Sequence, residues 1–195
     1  QHQVPATFFI VGKTLRENAR EYRELLGDDA LFEVGSHTWS HRMLRDHPFC
    51  GPAPDPQAVA DEIMLGQRAI QDVLGRPAIG LRPGCGFVDG LRGAPQVLAH
   101  VRAAGFRYVS SQLWGPDWSV PAPLAQAYTY AADGFGDLWE LPGHGWHENL
   151  LKTHNEWGPR RITLWPASMR EAIPPGFIKT PEEEAAVNSV FIEEV

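Results

Sequence analysis

The chain has 195 residues, 43% of them hydrophobic and 21% charged, with a formal net charge of -7. That length fits one domain with a real core, since a chain of this size buries about 70% of its unfolded surface. Asp plus Glu outnumber Lys plus Arg by 24 to 17, which argues against nucleic acid as a partner, because phosphate affinity rests on cationic side chains. No apolar run approaches the ~20 residues that span a bilayer, and no charged-then-apolar leader opens the chain.

Val4 to Gly12 is a short apolar run with β-branched and aromatic residues, ended by glycine, and is predicted as a strand buried on both faces. Leu15, Ala19, Tyr22 and Leu26 then recur at helical spacing among charged residues. Ala30 to Gly35 is a second strand. A longer helix follows Pro56, with Val59, Ile63, Ile70, Val73 and Leu74 on one face, Gly75 as its C-terminal cap and Pro77 beyond. Ala78–Leu81 is a third strand, Val97, Leu98 and Val101 mark another helix closed by Gly105, and Arg107–Leu113 is a fourth strand. Residues 115–136 are Pro- and Ala-rich with little periodicity, and are expected to form a long functional loop. Leu138–Leu141 is a fifth strand stopped by Pro142. Residues 143–180 are irregular, and a last helix starts at Thr180, with Pro181 in its first turn and Glu183 completing a capping box.

Strand alternating with helix means a parallel sheet, open or closed into a barrel. Either form places function at the C-terminal ends of the strands. That rule selects the loops Gly35–His41, Arg82–Phe87, Trp114–Trp118 and Pro142–His147, which hold most of the chemically interesting residues. The two cysteines, Cys50 and Cys85, make neither a disulfide framework nor a four-cysteine zinc site and are expected to be free thiols. Trp39, Trp114, Trp118, Trp146 and Trp157 sit in polar, Gly- and Pro-rich stretches, where tryptophan either lines a groove or anchors a loop on the core.

Gly35-Ser36-His37-Thr38-Trp39-Ser40-His41 is the sharpest local signal. In a helical turn His37 and His41 would project from one face, roughly 6 Å apart at Cβ, a good bite for one divalent ion that would need a third protein ligand and a water for catalysis. A bare pair of this spacing is otherwise two polar surface histidines, and the strand end favours the metal reading. Arg82 stands at the next strand tip, where its planar fork suits a carboxylate. The backbone N–H groups of the turn through Gly84 and Cys85 can stabilise an oxyanion. In the loop Leu141–Asn149, His144 or His147 suits a general acid, or makes loop hydrogen bonds only.

Pro5–Gly12, Gly35–His41 and Leu81–Gly86, in this order and spacing, resemble the polysaccharide deacetylase (NodB-homology) family. The resemblance implies an α/β fold, an irregular (β/α) barrel of about seven strands when complete and incomplete here. Residues 1–195 would then be one partial catalytic domain. Family members remove acetyl groups from N-acetylated sugars. The resemblance implies a divalent metal, usually zinc, on His37 and His41, with Thr38 supporting the metal-binding turn by hydrogen bonding. Arg82 would hold the catalytic carboxylate, the Cys85 N–H would form the oxyanion hole, and Asp117-Trp118 would line the groove near Arg82. Gly84, Trp146 and His147 complete the expected substrate contacts, and His144 is the expected acid if the chain supplies one.

The family pattern opens with a strand ending in Thr-Phe-Asp-Asp, the source of the base and the third metal ligand, and closes with a Leu-x-His strand that carries the acid. Neither motif is in this chain, so the domain is expected to be trimmed at both ends. The partner is expected to be a carbohydrate. The alternatives are a small non-sugar amide, such as a cyclic imide or ureide, and a carbohydrate-binding module without catalysis.

Overall fold

The computed structural model describes residues 5–26, 29–118, 122 and 125–143, and of Asp117 the backbone alone. The expected last helix at Thr180 lies outside the described residues. Among the described residues six strands form one sheet: β1 (Ala6–Ile10), β2 (Phe32–Ser36), β3 (Gly80–Leu81), β4 (Tyr108–Val109), β5 (Tyr128–Tyr130) and β6 (Phe135–Glu140), in the order β1-β2-β3-β4-β6-β5. All neighbours pair in parallel except β5 with β6. Among the described residues the sheet is open, with β1 at one edge and β5 at the other. The α/β class and the parallel sheet agree with the sequence reading.

The expected first helix is two, α1 (Gly12–Glu17) and α2 (Ala19–Leu26). Asn18 leaves helical geometry (φ -122°, ψ 37°), and its side-chain amide and backbone N–H both turn to the Thr14 carbonyl, the local competition that makes asparagine a helix breaker. Helix α3 (Pro56–Leu74) follows its signals closely. Asp55 accepts the Ala58 N–H, Pro56 sits in the first turn, and Gly75 ends the helix at φ 71°, where a residue without Cβ carries no steric penalty. Helix α4 (Pro95–Ala103) is the last α-helix among the described residues.

Three expectations need correction. β1 is not buried on both faces: as an edge strand it leaves Phe8 41% exposed. β4 stops at Val109 rather than Leu113, because the N–H groups of Ser111 and Gln112 turn to the Glu140 carboxylate (2.6 and 2.8 Å). The stretch 115–136 is not simply a loop: it holds a 3-10 turn at Pro116–Trp118, then β5, a second such turn at Ala131–Asp133 and Gly134 at φ 88° before β6. Tyr-Thr-Tyr followed by Asp-Gly is a hairpin signal.

The core is built from α1, α3, α4 and the sheet. Leu15, Ile63, Ile70, Leu81, Leu98, Val109 and Leu138 are all at most 1% exposed. Fully burying one such side chain is worth about 1.5–3 kcal/mol, and this mass fixes the ends of the strands that carry the polar residues.

Candidate metal centre and active site

The last paired residues of β2, β3, β4 and β6 stand side by side: Ser36 opposite Leu81, Leu81 opposite Val109, Val109 opposite Glu140. The next residue on three of these strands therefore leaves the sheet at one level. These residues are His37, Arg82 and Ser110, and they touch. His37 Nδ1 lies 2.8 Å from the Arg82 carbonyl, and an Arg82 N–H donates to Ser110 Oγ at 2.7 Å. Two glycines permit the close pairing. A Cβ on Gly35 would meet the Phe9 ring at 2.6 Å, and one on Gly80 would meet the Tyr108 ring at 2.1 Å.

The turn after His37 is not helical. Thr38 and His41 are left-handed, at φ 63° and 66°, conformations that cost of order 1–3 kcal/mol each in a non-glycine residue and persist only where the surroundings dictate them. The surroundings do so here. The His37 N–H donates to Ile10, and the Thr38 and Trp39 carbonyls accept from Gly12 and Lys13 at the start of α1 (2.8–2.9 Å). The result still brings the two imidazoles together, edge to face, with ring centroids 4.6 Å apart. A Cβ on Gly84 would lie 2.2 Å from the His41 carbonyl oxygen, so glycine there lets the two loops nest. Thr38 is fully buried and its hydroxyl has no partner among the described residues. The hydrogen bond it makes in the turn runs through its backbone carbonyl, which accepts the Gly12 N–H.

The carbonyl of Arg82 can only accept, so the proton of neutral His37 sits on Nδ1 and the Nε2 lone pair is left for a ligand, the usual arrangement of a metal-binding histidine. Burial pushes the His37 pKa down, the hydrogen bond to Arg82 opposes this, and the neighbouring His41 and Arg82 push it further down. A neutral imidazole is the form a metal needs. The donor set thus fits a divalent ion, and among the described residues no carboxylate shares its reach with both imidazoles.

The Arg82 guanidinium lies 4.6 Å over the Phe9 ring, and its Nε is buried with no partner among the described residues. A trough of about 780 Å³ runs beside β1, lined by Phe8, Phe9, Leu25 and Phe32, with His37 and Arg82 also in its wall.

Cys50 and Cys85 are not free thiols: they form a disulfide between segments 35 residues apart. It ties the turn that carries the Cys85 N–H to the loop after His41. Sequence spacing alone carried no sign of this pairing. His47 lies beside the sulfurs, with its ligand atom within 4.8 Å of both, yet this trio is a poor metal site. His47 Nδ1 accepts the Phe49 and Cys50 N–H groups (3.1 and 3.0 Å), which leaves the proton on Nε2, and the sulfurs are spent on each other. Trp118 packs on His47 with centroids 4.6 Å apart, beside Trp114 and Phe49. Asp117 lies in the 3-10 turn Pro116–Trp118, with its side chain outside the described residues. His144, Trp146 and His147 also lie outside them, though Gly143 is described, and a Cβ there would come 3.8 Å from the Arg82 guanidinium.

The sequence profile described as polysaccharide deacetylase matches residues 1–109. The peptidoglycan-N-acetylglucosamine deacetylase PgdA of Listeria monocytogenes is 30% identical over 89 residues, 46% of this chain and 17% of that protein. The chain therefore spans a small part of the curated relatives it matches. Among solved structures, a Mycobacterium smegmatis protein assigned to the polysaccharide deacetylases superposes with a TM-score of 0.58 at 22% identity, over 98% of this chain and 54% of that one, a likeness of fold. BA3943 of Bacillus anthracis, described as a CE4 family pseudoenzyme, gives 0.42 at 21% identity, over 55% and 34%.

Proposed function

The chain belongs to the polysaccharide deacetylase family, and from that premise we propose that the whole protein hydrolyses the N-acetyl group of a sugar with a divalent metal held by His37 and His41. The observation that carries this reading is the bond from His37 Nδ1 to the Arg82 carbonyl at 2.8 Å, which leaves Nε2 unprotonated beside a second imidazole. When bound, the ion supplies Lewis-acid polarisation of the amide carbonyl and a more acidic water. Imidazole nitrogen suits zinc, the family's usual ion, and also cobalt, nickel or iron.

The chain's own residues would do the rest. Arg82 offers a buried cationic N–H to the carboxylate that acts as base. Such a carboxylate, brought in along the open edge of β1, would meet Arg82 and His37 together in the wall of the trough. The Cys85 N–H, on a turn fixed by the disulfide, would donate to the developing oxyanion, which preorganised donors stabilise without rearrangement. The Leu-x-His histidine of the family pattern would protonate the leaving amine, or, if this chain supplies the acid, His144 or His147 would, and Asp117, Trp118 and Trp146 would contact the sugar.

The test is metal content and acetate release from N-acetylglucosamine oligomers, in the full-length protein and in His37→Ala and His41→Ala. Loss of both bound metal and activity in each variant is expected. Unchanged metal content in both variants would overturn the assignment.

A further inference from the structure

Helix α3 faces the histidine turn with two residues that break its apolar stripe, Glu62 and Gly66. Glu62 is 6% exposed, and no cation pairs with it among the described residues. A buried carboxylate is costly unless donors surround it. Here every donor among the described residues comes from the turn. One Glu62 oxygen accepts the Ser40 N–H at 2.8 Å, and the other accepts the Ser40 hydroxyl at 2.5 Å. The Glu62 backbone carbonyl accepts the Trp39 N–H at 2.9 Å. One turn further along α3, a Cβ on Gly66 would lie 2.8 Å from the Thr38 carbonyl carbon, so the turn rests directly on the helix.

The bonds to β1 and α1 hold the turn from one side, through His37, Thr38 and Trp39. The bonds to Glu62 hold it from the other, at Trp39 and Ser40, immediately before left-handed His41. Without the side-chain bonds the Ser40 N–H and hydroxyl lose their described partners. The strained His41 backbone, held from the described residues by the Trp39 carbonyl bond to Lys13 before it and by the packing of Gly84 on its own carbonyl, can then relax toward ordinary dihedrals, carrying its imidazole away from His37.

The geometry points to Glu62 as a positioning residue that sets the distance between the two imidazoles and hence the affinity for the metal. This rests on the reading of His37 and His41 as metal ligands. Glu62 acts by holding Ser40 and not by its charge.

The experiment uses the full-length protein with Co²⁺ as probe, followed by its visible d–d absorption and by calorimetry. It compares wild type, His37→Ala, Glu62→Ala, Glu62→Gln and Ser40→Ala. Loss of an outer-shell partner typically costs about 10- to 100-fold in metal affinity, and Glu62→Ala is expected to weaken Co²⁺ binding by that factor and to alter the d–d band. Glu62→Gln keeps an acceptor for the Ser40 N–H and a polar group for its hydroxyl, so it restores most of the affinity. Ser40→Ala loses one of the two side-chain bonds and falls between. A lower melting temperature in Glu62→Ala with wild-type Co²⁺ affinity and spectrum means a purely structural role and overturns the proposal. So does a loss in Glu62→Gln as large as in Glu62→Ala, which would mean that charge and not position matters. If Glu62→Ala does not fold, Ser40→Ala carries the test, and wild-type affinity there overturns it. A wild type that binds no Co²⁺, or a His37→Ala that binds like wild type, overturns the metal reading itself and this proposal with it. Those outcomes are distinct from the former, in which wild type binds and His37→Ala does not.

Discussion

Replacing Gly66 with alanine sets two effects of opposite sign against each other. Glycine inside a helix costs about 1 kcal/mol relative to alanine, so on propensity alone the substitution stabilises α3. The added Cβ, however, would lie 2.7 Å from Ser36 Oγ, 2.8 Å from the Thr38 carbonyl carbon and 3.1 Å from its oxygen. Ser36 can give way, since its hydroxyl has no partner among the described residues. Thr38 cannot, because its carbonyl holds the Gly12 N–H and its backbone is left-handed. Overpacking costs about 1–3 kcal/mol, and a hydrogen-bonded backbone neighbour puts this case in the upper part of that range. The net loss is about 1–2 kcal/mol, or about 2–8 °C in melting temperature for a chain of this size. Gly75→Ala on the same helix is the control. Nothing described lies within 4 Å of its Cβ, but φ is 71°, so alanine there costs about 1–2 kcal/mol through the backbone alone. Both variants should melt earlier, and only Gly66→Ala should also weaken Co²⁺ binding, because it alone shifts the peptide that follows Thr38, between the two histidines. Thermal unfolding by circular dichroism and Co²⁺ titration measure the two effects. A rise in melting temperature for Gly66→Ala, or Co²⁺ affinity equal to that of Gly75→Ala, would refute the reasoning.

Three further outcomes are expected. Cys50→Ser with Cys85→Ser should cost about 2–4 kcal/mol in urea unfolding, the usual range for a ring of this order, given the separation of 35 residues. Oxidised wild type should resist alkylation, and equal stability with and without reductant would contradict the bridge. Burial raises the pKa of Tyr128 to about 12, and burial also raises Tyr108 and Tyr130. A folded pKa above the unfolded value means stability that is present in full below pH 10 and is lost as pH climbs from 10 through the folded values. The melting temperature should therefore fall above pH 10, and Tyr128→Phe should flatten that slope. Tyr130→Phe removes a buried hydroxyl that accepts the Leu91 N–H at 3.0 Å and donates to Glu140. A bond to a charged group is worth about 1.5–3 kcal/mol, so a loss of that size is expected in urea unfolding.

The strand–helix alternation, the start of α3 at Pro56 and its end at Gly75 were legible because they rest on local rules, a proline in the first turn and a glycine after the last apolar residue. The meeting of His37 with Arg82 followed from topology, since parallel strands deliver their ends to one level. The conformation of the turn did not follow, because left-handed Thr38 and His41 are imposed by α1 and α3 and no local propensity favours them. Glu62 left a trace: an acidic residue three positions after Val59 falls inside the apolar stripe, where a charge needs a reason. The partner of Cys50 was hidden, since which cysteines meet depends on how two loops cross. Tyr128–Tyr130 had strand composition but was masked by the Pro- and Ala-rich stretch before it.

The disulfide gives the chain a covalent ring closed by Cys50 and Cys85, and α3 and β3 lie entirely within it. A protease that cuts the backbone once between residues 51 and 84 would not release a fragment. The two pieces would keep the mass of the whole plus one water until a reductant separates them, so Glu62 and Arg82 would stay tethered in one molecule through damage that severs an open chain. His37 and His41 lie outside the ring and have no such protection. A single cut between His41 and Cys50 would leave the histidine-bearing segment attached through packing and hydrogen bonds alone.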